Sequence, residues 1–331
     1  MDPVDALNEI AYWLERGLAS SYKTKAFRHA AAAVAALPES ERAQRSAADR
    51  WTGIPGVGGS TAEVIREAVA GGIPTRLADL RAAATTTSST LRTKLRGDLH
   101  SHSDWSDGTT SLESMAGTAR WLGHEYLVLT DHSPHLRVAN GLTPERLREQ
   151  IDIVRGYGAM GFRLLTGIEV DILDDGSLDQ TDELLAELDV VVASVHSKLK
   201  MPEADMTARM LAAVRNPATD VLGHCTGRLV EGSRGTRPQS AFDARTVFEA
   251  CAEHRVAVEI NSRPERQDPP DDLLEIALEL GCLFSIDSDA HAPGQLGLID
   301  LGAERAEAAG IPADRVVTTW PLDRLLEWAA R

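Results

Sequence analysis

From residue 95 onward the chain alternates short apolar runs with longer amphipathic segments, and this limits the folds open to it. The runs Leu95–His100, Tyr126–Thr130, Arg163–Ile168, Val190–Val195, Asp220–Gly223, Ala257–Asn261 and Leu283–Asp287 have the length and composition of strands. Segments such as Leu112–Leu122, Pro144–Tyr157, Thr181–Leu188, Ala241–His254 and Asp271–Leu280 carry helical spacing between them. Strand–helix alternation of this kind implies a parallel sheet in an α/β fold. Seven units in about 235 residues match the scale of an αβ barrel, although periodicity alone does not separate a closed barrel from a doubly wound sheet.

The front of the chain follows a different pattern. Ala6, Leu7, Ile10, Ala11 and Leu14 recur at helical spacing, and an Ala-rich run from Phe27 to Leu37 meets Pro38. A glycine-rich turn, Thr52 to Gly59, precedes the helix-like TAEVIREAVAGG. The small, polar AAATTTSSTLRT that follows suits a linker. The expected organisation is a helical domain over 1–81, a linker over 82–94 and an α/β domain over 95–331.

Charge divides along the same line. The chain has a formal charge of −16, which disfavours a protein that coats nucleic acid by bulk electrostatics. Residues 1–94 hold 12 Lys+Arg against 10 Asp+Glu, a net of +2, leaving −18 for the rest. Carboxylates that hold cations would offset part of this excess. Three well-separated cysteines, Cys225, Cys251 and Cys282, form no CxxC pair and fit reduced thiols in a cytoplasmic setting. The first residues carry neither a basic stretch nor an apolar stretch of secretory type, and no apolar run is long enough to span a membrane.

The chemistry lies where the strands end. The first candidate strand runs into His100 and His102, followed by Asp107; the second into Asp131 and His132; the third into Glu169. The fourth ends at His196, the fifth at His224, and the seventh delivers Asp287, Asp289 and His291. The sixth ends in Glu259-Ile260-Asn261 without a typical metal ligand. Barrel enzymes build their sites at the C-terminal ends of strands, so six strands aim imidazole or carboxylate at one rim. His100 and His102 are two apart on a strand and share a face. Of ten histidines, six fall at these ends; His29 and His254 lie on helices, His124 and His135 are ambiguous, and His135, three residues after His132, is either a rival ligand or, the better reading, a loop residue bonded to backbone. Mixed imidazole and carboxylate ligands without thiolates suit Zn, Mn or Fe, and nine candidates are enough for two to three divalent ions.

The segments DLHSHSDWSDG, TDHS, GIEVDI, SVHS, GHCTGRL and DSDAH together resemble the PHP (polymerase and histidinol phosphatase) family over roughly residues 96–331. GHCTGRL, EINSRPERQDPPDDLLEIALELG and DAHAPGQL are most similar to the PHP domain joined to bacterial family-X DNA polymerases. The resemblance implies a distorted (β/α)7 TIM-like barrel with a trinuclear centre. In it His100, His102, Glu169 and Asp289 would hold one ion. Glu169 would bridge to a second on His196 and His224, and Asp107, His132 and His291 would hold a third. EIAYWLERG, SYKTKAFRHAAAAVAALP and IPGVGGSTAEVIREAVAGG resemble the small helix-hairpin-helix domain that begins those polymerases. Gly56 and Gly58 would let backbone N–H groups approach a DNA phosphate, and Lys23 matches a phosphate-contacting lysine. Two departures stand out: no polymerase palm lies between the two domains, and Val64 occupies the position of the lyase's Schiff-base lysine. An apolar side chain forms no imine.

The activity implied is hydrolysis of a phosphate ester. A DNA end is one substrate class (3′-phosphatase, 3′–5′ exonuclease or abasic-site nuclease). A small phosphomonoester such as histidinol phosphate is the alternative. Lys198, Arg228 and Arg266 are candidate phosphate clamps. Asn261 is placed to orient substrate or water, and Asp131 and Asp287 to fix imidazole tautomers. The sequence leaves the oligomeric state open.

Overall fold

The fold was obtained as a computed structural model that describes residues 1–84, 87–158, 160–232 and 235–330. It divides into two compact units, Met1–Thr86 and Thr87–Arg331. The division falls inside the expected linker, which is shorter than its composition suggested. Ala82 and Ala83 close a helix of the first unit, and residues 87–94 belong to the second. There the Thr90 backbone N–H donates to Glu307, Arg92 pairs with Asp300 at 2.6 Å, and Leu91 is buried. Thr85 and Thr86 lie outside the described residues.

The first unit is helical: α1 (Pro3–Arg16), α2 (Ser21–Ala35), α3 (Glu39–Ala47), α4 (Gly59–Val69) and α5 (Thr75–Ala83). Asp2 caps α1 by accepting from the Val4 and Asp5 amides. Ala6, Leu7, Ile10 and Ala11 of α1 bury against Phe27, Ala30, Ala31 and Val34 of α2, with Ile65 and Leu77 completing the core. Val64 is part of that core and 3% exposed, so the position holds packing and no reactive amine. Between α3 and α4, Gly56 turns the chain at a φ of +89°, a region closed to most side chains. Gly58 then caps α4 through its N–H to Thr61 Oγ1, at 3.0 Å.

The second unit is a parallel barrel. Its strands are β1 (Gly97–Asp98), β2 (Tyr126–Leu129), β3 (Arg163–Asp171), β4 (Val190–Ser194), β5 (Val221–Leu222), β6 (Ala257–Asn261) and β7 (Leu283–Asp287). They pair parallel in sequence order. The crossovers include α6 (Leu112–Trp121), α7 (Pro144–Gly156), α8 (Asp182–Leu185), α9 (Glu203–Val214), α10 (Ala244–His254) and α11 (Asp271–Glu279). After β7 come α12 (Ile299–Ala308) and α13 (Leu322–Ala329). The doubly wound alternative is excluded, because the two edges meet. Ser101 beyond β1 bridges Ala290 beyond β7, and the His102 amide donates to the Ala290 carbonyl at 2.8 Å. The barrel is staggered at β3, whose residues 163–166 pair with β2 while residues 167–171 pair with β4. No helix among the described residues is long and apolar enough to cross a membrane.

Strand alternation sorts side chains into two cores. Ile168, Val170, Val191, Ala193, Val258, Ile260, Phe284 and Ile286 face outward to the helices. Inward, Tyr126, Val128, Leu165, Val190, Val192, Val221 and Ala257 form the lower half of the barrel interior. Trp320 and Trp328 plug that end; Tyr126 Oη donates to the Trp320 carbonyl and Trp328 Nε1 to the Arg255 carbonyl, each at 3.0 Å. The upper half is polar.

Candidate metal centre

Glu169 forms the hub. It lies four residues beyond Leu165 on the inward face of β3, and Gly167 between them has no room for a side chain. A Cβ there would meet Val128 Cγ1 at 2.5 Å. Glu169 is 1% exposed. His224 Nε2 bonds to its Oε1 at 2.8 Å, with His196 Nε2 at 3.2 Å from the same oxygen. Its Oε2 has His132 Nδ1 at 2.9 Å, His100 Nε2 at 3.3 Å and His102 Nε2 at 3.6 Å. Five imidazoles from the ends of four strands, two of them beyond β1, thus converge on one carboxylate. Toward the rim, Asp107 Oδ1 lies 3.5 Å from His132 Nε2 and 3.4 Å from His291 Nε2. Asp289 Oδ1 lies 3.4 Å from His102 Nε2. All nine candidate ligands are brought together.

Tautomers are set from outside the ring. His100 Nδ1 bonds to Glu259 Oε1 at 2.5 Å, His196 Nδ1 to Asp171 Oδ1 at 2.9 Å, and His291 Nδ1 to the Asp289 carbonyl at 2.9 Å. With each Nδ1 occupied as donor, the Nε2 lone pairs point inward. Nε2 of His100 and His196, both ring nitrogens of His102, Nδ1 of His132 and Nδ1 of His224 are buried without a hydrogen-bond partner. Buried polar atoms rarely go without a well-aligned hydrogen bond, so the arrangement fits cations that take the one lone pair each neutral imidazole offers. Three groups have the necessary spacing: His102, Asp107, His132 and His291; His100, His102 and Glu169; and His132, Glu169 and His196. His102 and His132 each belong to two groups, a tighter sharing than the division implied by the family resemblance.

Electrostatics follow from the same contacts. Burial pushes Glu169 up, but His100, His196 and His132 overcome it and hold it well below the usual carboxylate range. Asp289 is likewise raised by burial and lowered further by His100 and Arg266. Burial opposes protonation of His196, yet Glu169 and Asp171 raise it to about 9. His102 goes the other way, to about 3, because burial is joined by repulsion from His291 and His132. Two candidate ligands also sit at positive φ, His224 at +20° and Asp289 at +50°.

Several expected roles are corrected. Asp131 and Asp287 touch no imidazole. Asp131 accepts from the Ser103 amide, the Ser103 and Ser106 hydroxyls and Gln150 Nε2, tying the Asp107 loop to β2 and α7. Asp287 accepts from the Leu99 amide at the barrel seam. Asn261 is fully buried: its Nδ2 donates to Glu259 and Asp289, so it braces Asp289, and it is not among the residues that line the cavity over the cluster. Lys198 pairs with Asp174 at 2.5 Å outside the cavity, and Arg228 donates to the carbonyls of Arg266 and Gln267. His135 stays out of the cluster; its amide bonds to Asp179.

A cavity of about 400 Å³ opens over the cluster, and Arg237, Arg263 and Arg266 line it. Arg266 was expected there; Arg237 and Arg263 were not. Arg266 Nε donates to Asp289 Oδ2 at 3.1 Å, and its Nη atoms have no protein partner among the described residues. In the first unit Lys23 is exposed on α2 and Gly58 is exposed at the start of α4, whereas Arg28 is taken up by Glu15 at 2.7 Å. Open space surrounds Gly58 and Gly59.

Barrel and cluster define the class: a metal-dependent hydrolase with its site at the strand C-termini. Comparison with known proteins makes this specific. The PHP domain is matched over residues 98–263 and a helix-hairpin-helix domain over residues 1–73. The DNA polymerase/3′-5′ exonuclease PolX of Bacillus subtilis is 41% identical over 200 residues, which are 60% of this chain and 34% of that protein. The match thus spans about a third of the polymerase's length. A protein of Aliivibrio fischeri described as a probable phosphatase is 30% identical over 241 residues, covering 67% of this chain and 88% of its own. The histidinol phosphate phosphatase of Lactococcus lactis, solved with zinc, L-histidinol and phosphate, superposes with a TM-score of 0.48. It is 19% identical and covers 66% of this chain and 94% of that one. The chain belongs to the PHP domain family.

Proposed function

We propose that the chain hydrolyses phosphoric ester bonds with two to three divalent cations, and that its esters lie at DNA ends. The observation that carries the reading is the set of inward, unpartnered imidazole nitrogens around Glu169. Divalent cations held there would lower the pKa of a water toward neutrality and offset charge on the phosphoryl oxygens. The ligands are His100, His102, Glu169 and Asp289; Glu169, His196 and His224; and Asp107, His132 and His291. Zn, Mn and Fe all suit this donor set.

The protein's own residues do the rest. Glu259 and Asp171 hold His100 and His196 in the tautomer that faces inward. Asn261 and Arg266 fix one oxygen of Asp289. The Arg266 guanidinium meets the phosphate's non-bridging oxygens through its Nη pair, a geometry suited to an anion edge. In the hydrolysis a water oxygen adds to phosphorus, the ester P–O bond breaks, and the alcohol leaves with a proton.

The DNA-end assignment is supported by the helix-hairpin-helix match and by the relative that combines exonuclease with polymerase. Lys23, Gly56 and Gly58 are the proposed DNA contacts of the first unit. The second reading, a small-molecule phosphatase, is favoured by the net charge of −16. Mn-loaded protein offered a 3′-phosphorylated oligonucleotide and histidinol phosphate side by side decides between them. The oligonucleotide is expected to be turned over faster, and Lys23→Glu to raise its KM several-fold. Turnover of histidinol phosphate alone would end the DNA reading.

A further inference from the structure

Arg263 and Arg266 line the same cavity, yet their guanidinium groups are used differently. A guanidinium has five N–H donors in a fixed fork. Arg266 gives its Nε to Asp289 Oδ2 and keeps its Nη pair open among the described residues. Arg263 has four of its five committed. Nε and Nη2 both donate to Glu265 Oε1, at 2.8 and 2.6 Å. The two Nη1 hydrogens reach the Asp289 carbonyl at 2.9 Å and Gln295 Oε1 at 3.2 Å. One N–H is left, whereas bidentate contact with a phosphate edge needs two.

The two acceptors held by Nη1 are the ones that fix His291. Its ring Nδ1 donates to the Asp289 carbonyl at 2.9 Å, and its amide donates to Gln295 Oε1 at 2.8 Å. Arg263 Nη1 lies beside both, 3.3 Å from His291 Nδ1. It thereby ties the segment beyond β6 to the segment beyond β7. Asp289 is at a φ of +50°, uncommon for a residue with a side chain, so backbone preference alone does not aim its carbonyl.

His291 belongs with His102, Asp107 and His132 to the outermost of the three candidate groups. Its side chain is 24% exposed and that of Asp107 36%, while His100, His102 and Glu169 are buried. Packing holds the inner ligands; the outer pair depends on bracing. The Asp289 carboxylate has other anchors in Asn261 Nδ2 and Arg266 Nε, so the inner groups do not rely on Arg263.

Resting on the cation-dependent reading above, we propose that Arg263 is the positioning residue of the outermost cation site. It holds the two acceptors that aim His291 Nε2 toward Asp107, and it does this in place of binding phosphate.

The test uses full-length protein dialysed against one limiting Mn concentration, with Mn per chain read by elemental analysis. Arg263→Met should hold about one Mn fewer than wild type, and its hydrolysis of p-nitrophenyl phosphate should half-saturate at ~10–100-fold higher free Mn. At saturating Mn, kcat and the inhibition constant of inorganic phosphate should both stay within ~3-fold of wild type. Arg263→Lys keeps the charge, but one ammonium cannot span Glu265 and the Asp289–Gln295 pair, so its Mn content should match that of Arg263→Met. Gln295→Ala leaves the guanidinium in place and should raise the Mn requirement by a smaller factor. Added to Arg263→Met it should contribute less than it does alone. Where Arg263→Met does not fold, Gln295→Ala carries the same test, and an unchanged Mn requirement there sinks the idea.

Wild-type Mn content and Mn requirement in Arg263→Met, or in Arg263→Lys, overturns the inference while leaving the phosphoesterase reading intact. So does a fall in kcat that excess Mn does not restore, joined to phosphate inhibition weakened ~10-fold or more; that result would put Arg263 on the substrate. Wild type that retains no Mn and hydrolyses neither p-nitrophenyl phosphate nor a 3′-phosphorylated oligonucleotide overturns both.

Discussion

The two halves of the barrel interior are built by the same strands under the same alternation, yet they do opposite work. Below, Tyr126, Val128, Leu165, Val190 and Val192 pack on Trp320 and Trp328 and expose almost nothing. Above, one or two inward positions further along, the strands present Glu169, Asp171, Glu259, Asp287 and Asp289, with histidines between them. An unpaired buried charge is costly, so the upper half holds its shape only where each carboxylate has an imidazole, a guanidinium or a backbone N–H. The lower half supplies the hydrophobic stabilisation that lets such a layer exist. The difference implies that damage above should abolish chemistry with modest effect on folding, and damage below should do the reverse.

The largest effect is expected at Glu169. Glu169→Gln keeps the shape but removes the charge that faces five imidazoles. Turnover at saturating Mn should fall at least ~10³-fold while the thermal midpoint stays within several degrees. Turnover within tenfold of wild type, with the metal content retained, would remove Glu169 from its place as hub. The reverse case is Trp328→Ala. Trp328 is 2% exposed and plugs the lower end, so its loss should cost about 3–5 kcal/mol by denaturant unfolding. Metal content and kcat, read at 20 °C where the variant is still folded, should stay near wild type. Loss of metal together with stability would mean that the halves are not separable.

A smaller effect sharpens the comparison within the upper half. Glu259 contacts no proposed cation and acts through His100 Nδ1. Glu259→Gln should weaken cation affinity ~10–100-fold by chelator competition and leave kcat at saturating metal largely intact. A collapse of kcat that excess metal does not rescue would place Glu259 in the chemistry itself.

Much of this organisation was legible in the sequence, for reasons that can be named. Strand β6 was bounded as Ala257–Asn261 and β7 as Leu283–Asp287, the limits observed, because β-branched and apolar runs end at turn residues. The candidate ligands that the structure gathers around Glu169 were legible because all but Asp107 stand at or just beyond a strand end. Glu259 and Asp171 were passed over as orienting groups, although their positions carry a signal. Each lies inward on its strand, two residues from Asn261 and Glu169 respectively, and a carboxylate inside an apolar strand needs a partner. The arginines were harder. Lys198, Arg228, Arg237, Arg263 and Arg266 all sit near the rim in sequence, but loop backbone decides which guanidinium faces the cavity. Arg228 is taken by two carbonyls, and Arg263 is held by Glu265 at 2.6 Å while still lining the wall. Closure could not be read from periodicity and came only from the family resemblance, since it depends on contacts at one seam, the Ser101–Ala290 bridge and the His102 amide on the Ala290 carbonyl.

The smallest expected effect follows from protons competing with cations for the same atoms. In metal-free protein His196 is raised to about 9 and His100 is raised well above the ordinary value of 6.5. A histidine whose folded pKa exceeds its unfolded one adds stability that is complete below pH 6.5 and is lost as pH climbs through the folded value. Chelator-treated protein should therefore lose roughly 3–6 °C of thermal midpoint between pH 6.5 and 9. Cation binding must release those protons, so the stabilisation given by Mn should grow over the same window. The gap between loaded and stripped midpoints should therefore widen with pH, and a gap that stays constant from pH 6.5 to 9 would break the link between these protons and the cations. Tyr126 is the titratable side chain of the apolar cluster below, and burial pushes it upward, out of this window. Trp328→Ala should accordingly melt lower at every pH with the same slope in both metal states. A slope that changes with the plug would show that the two ends titrate as one, and the separation of the barrel into a stabilising half and a reacting half would fail.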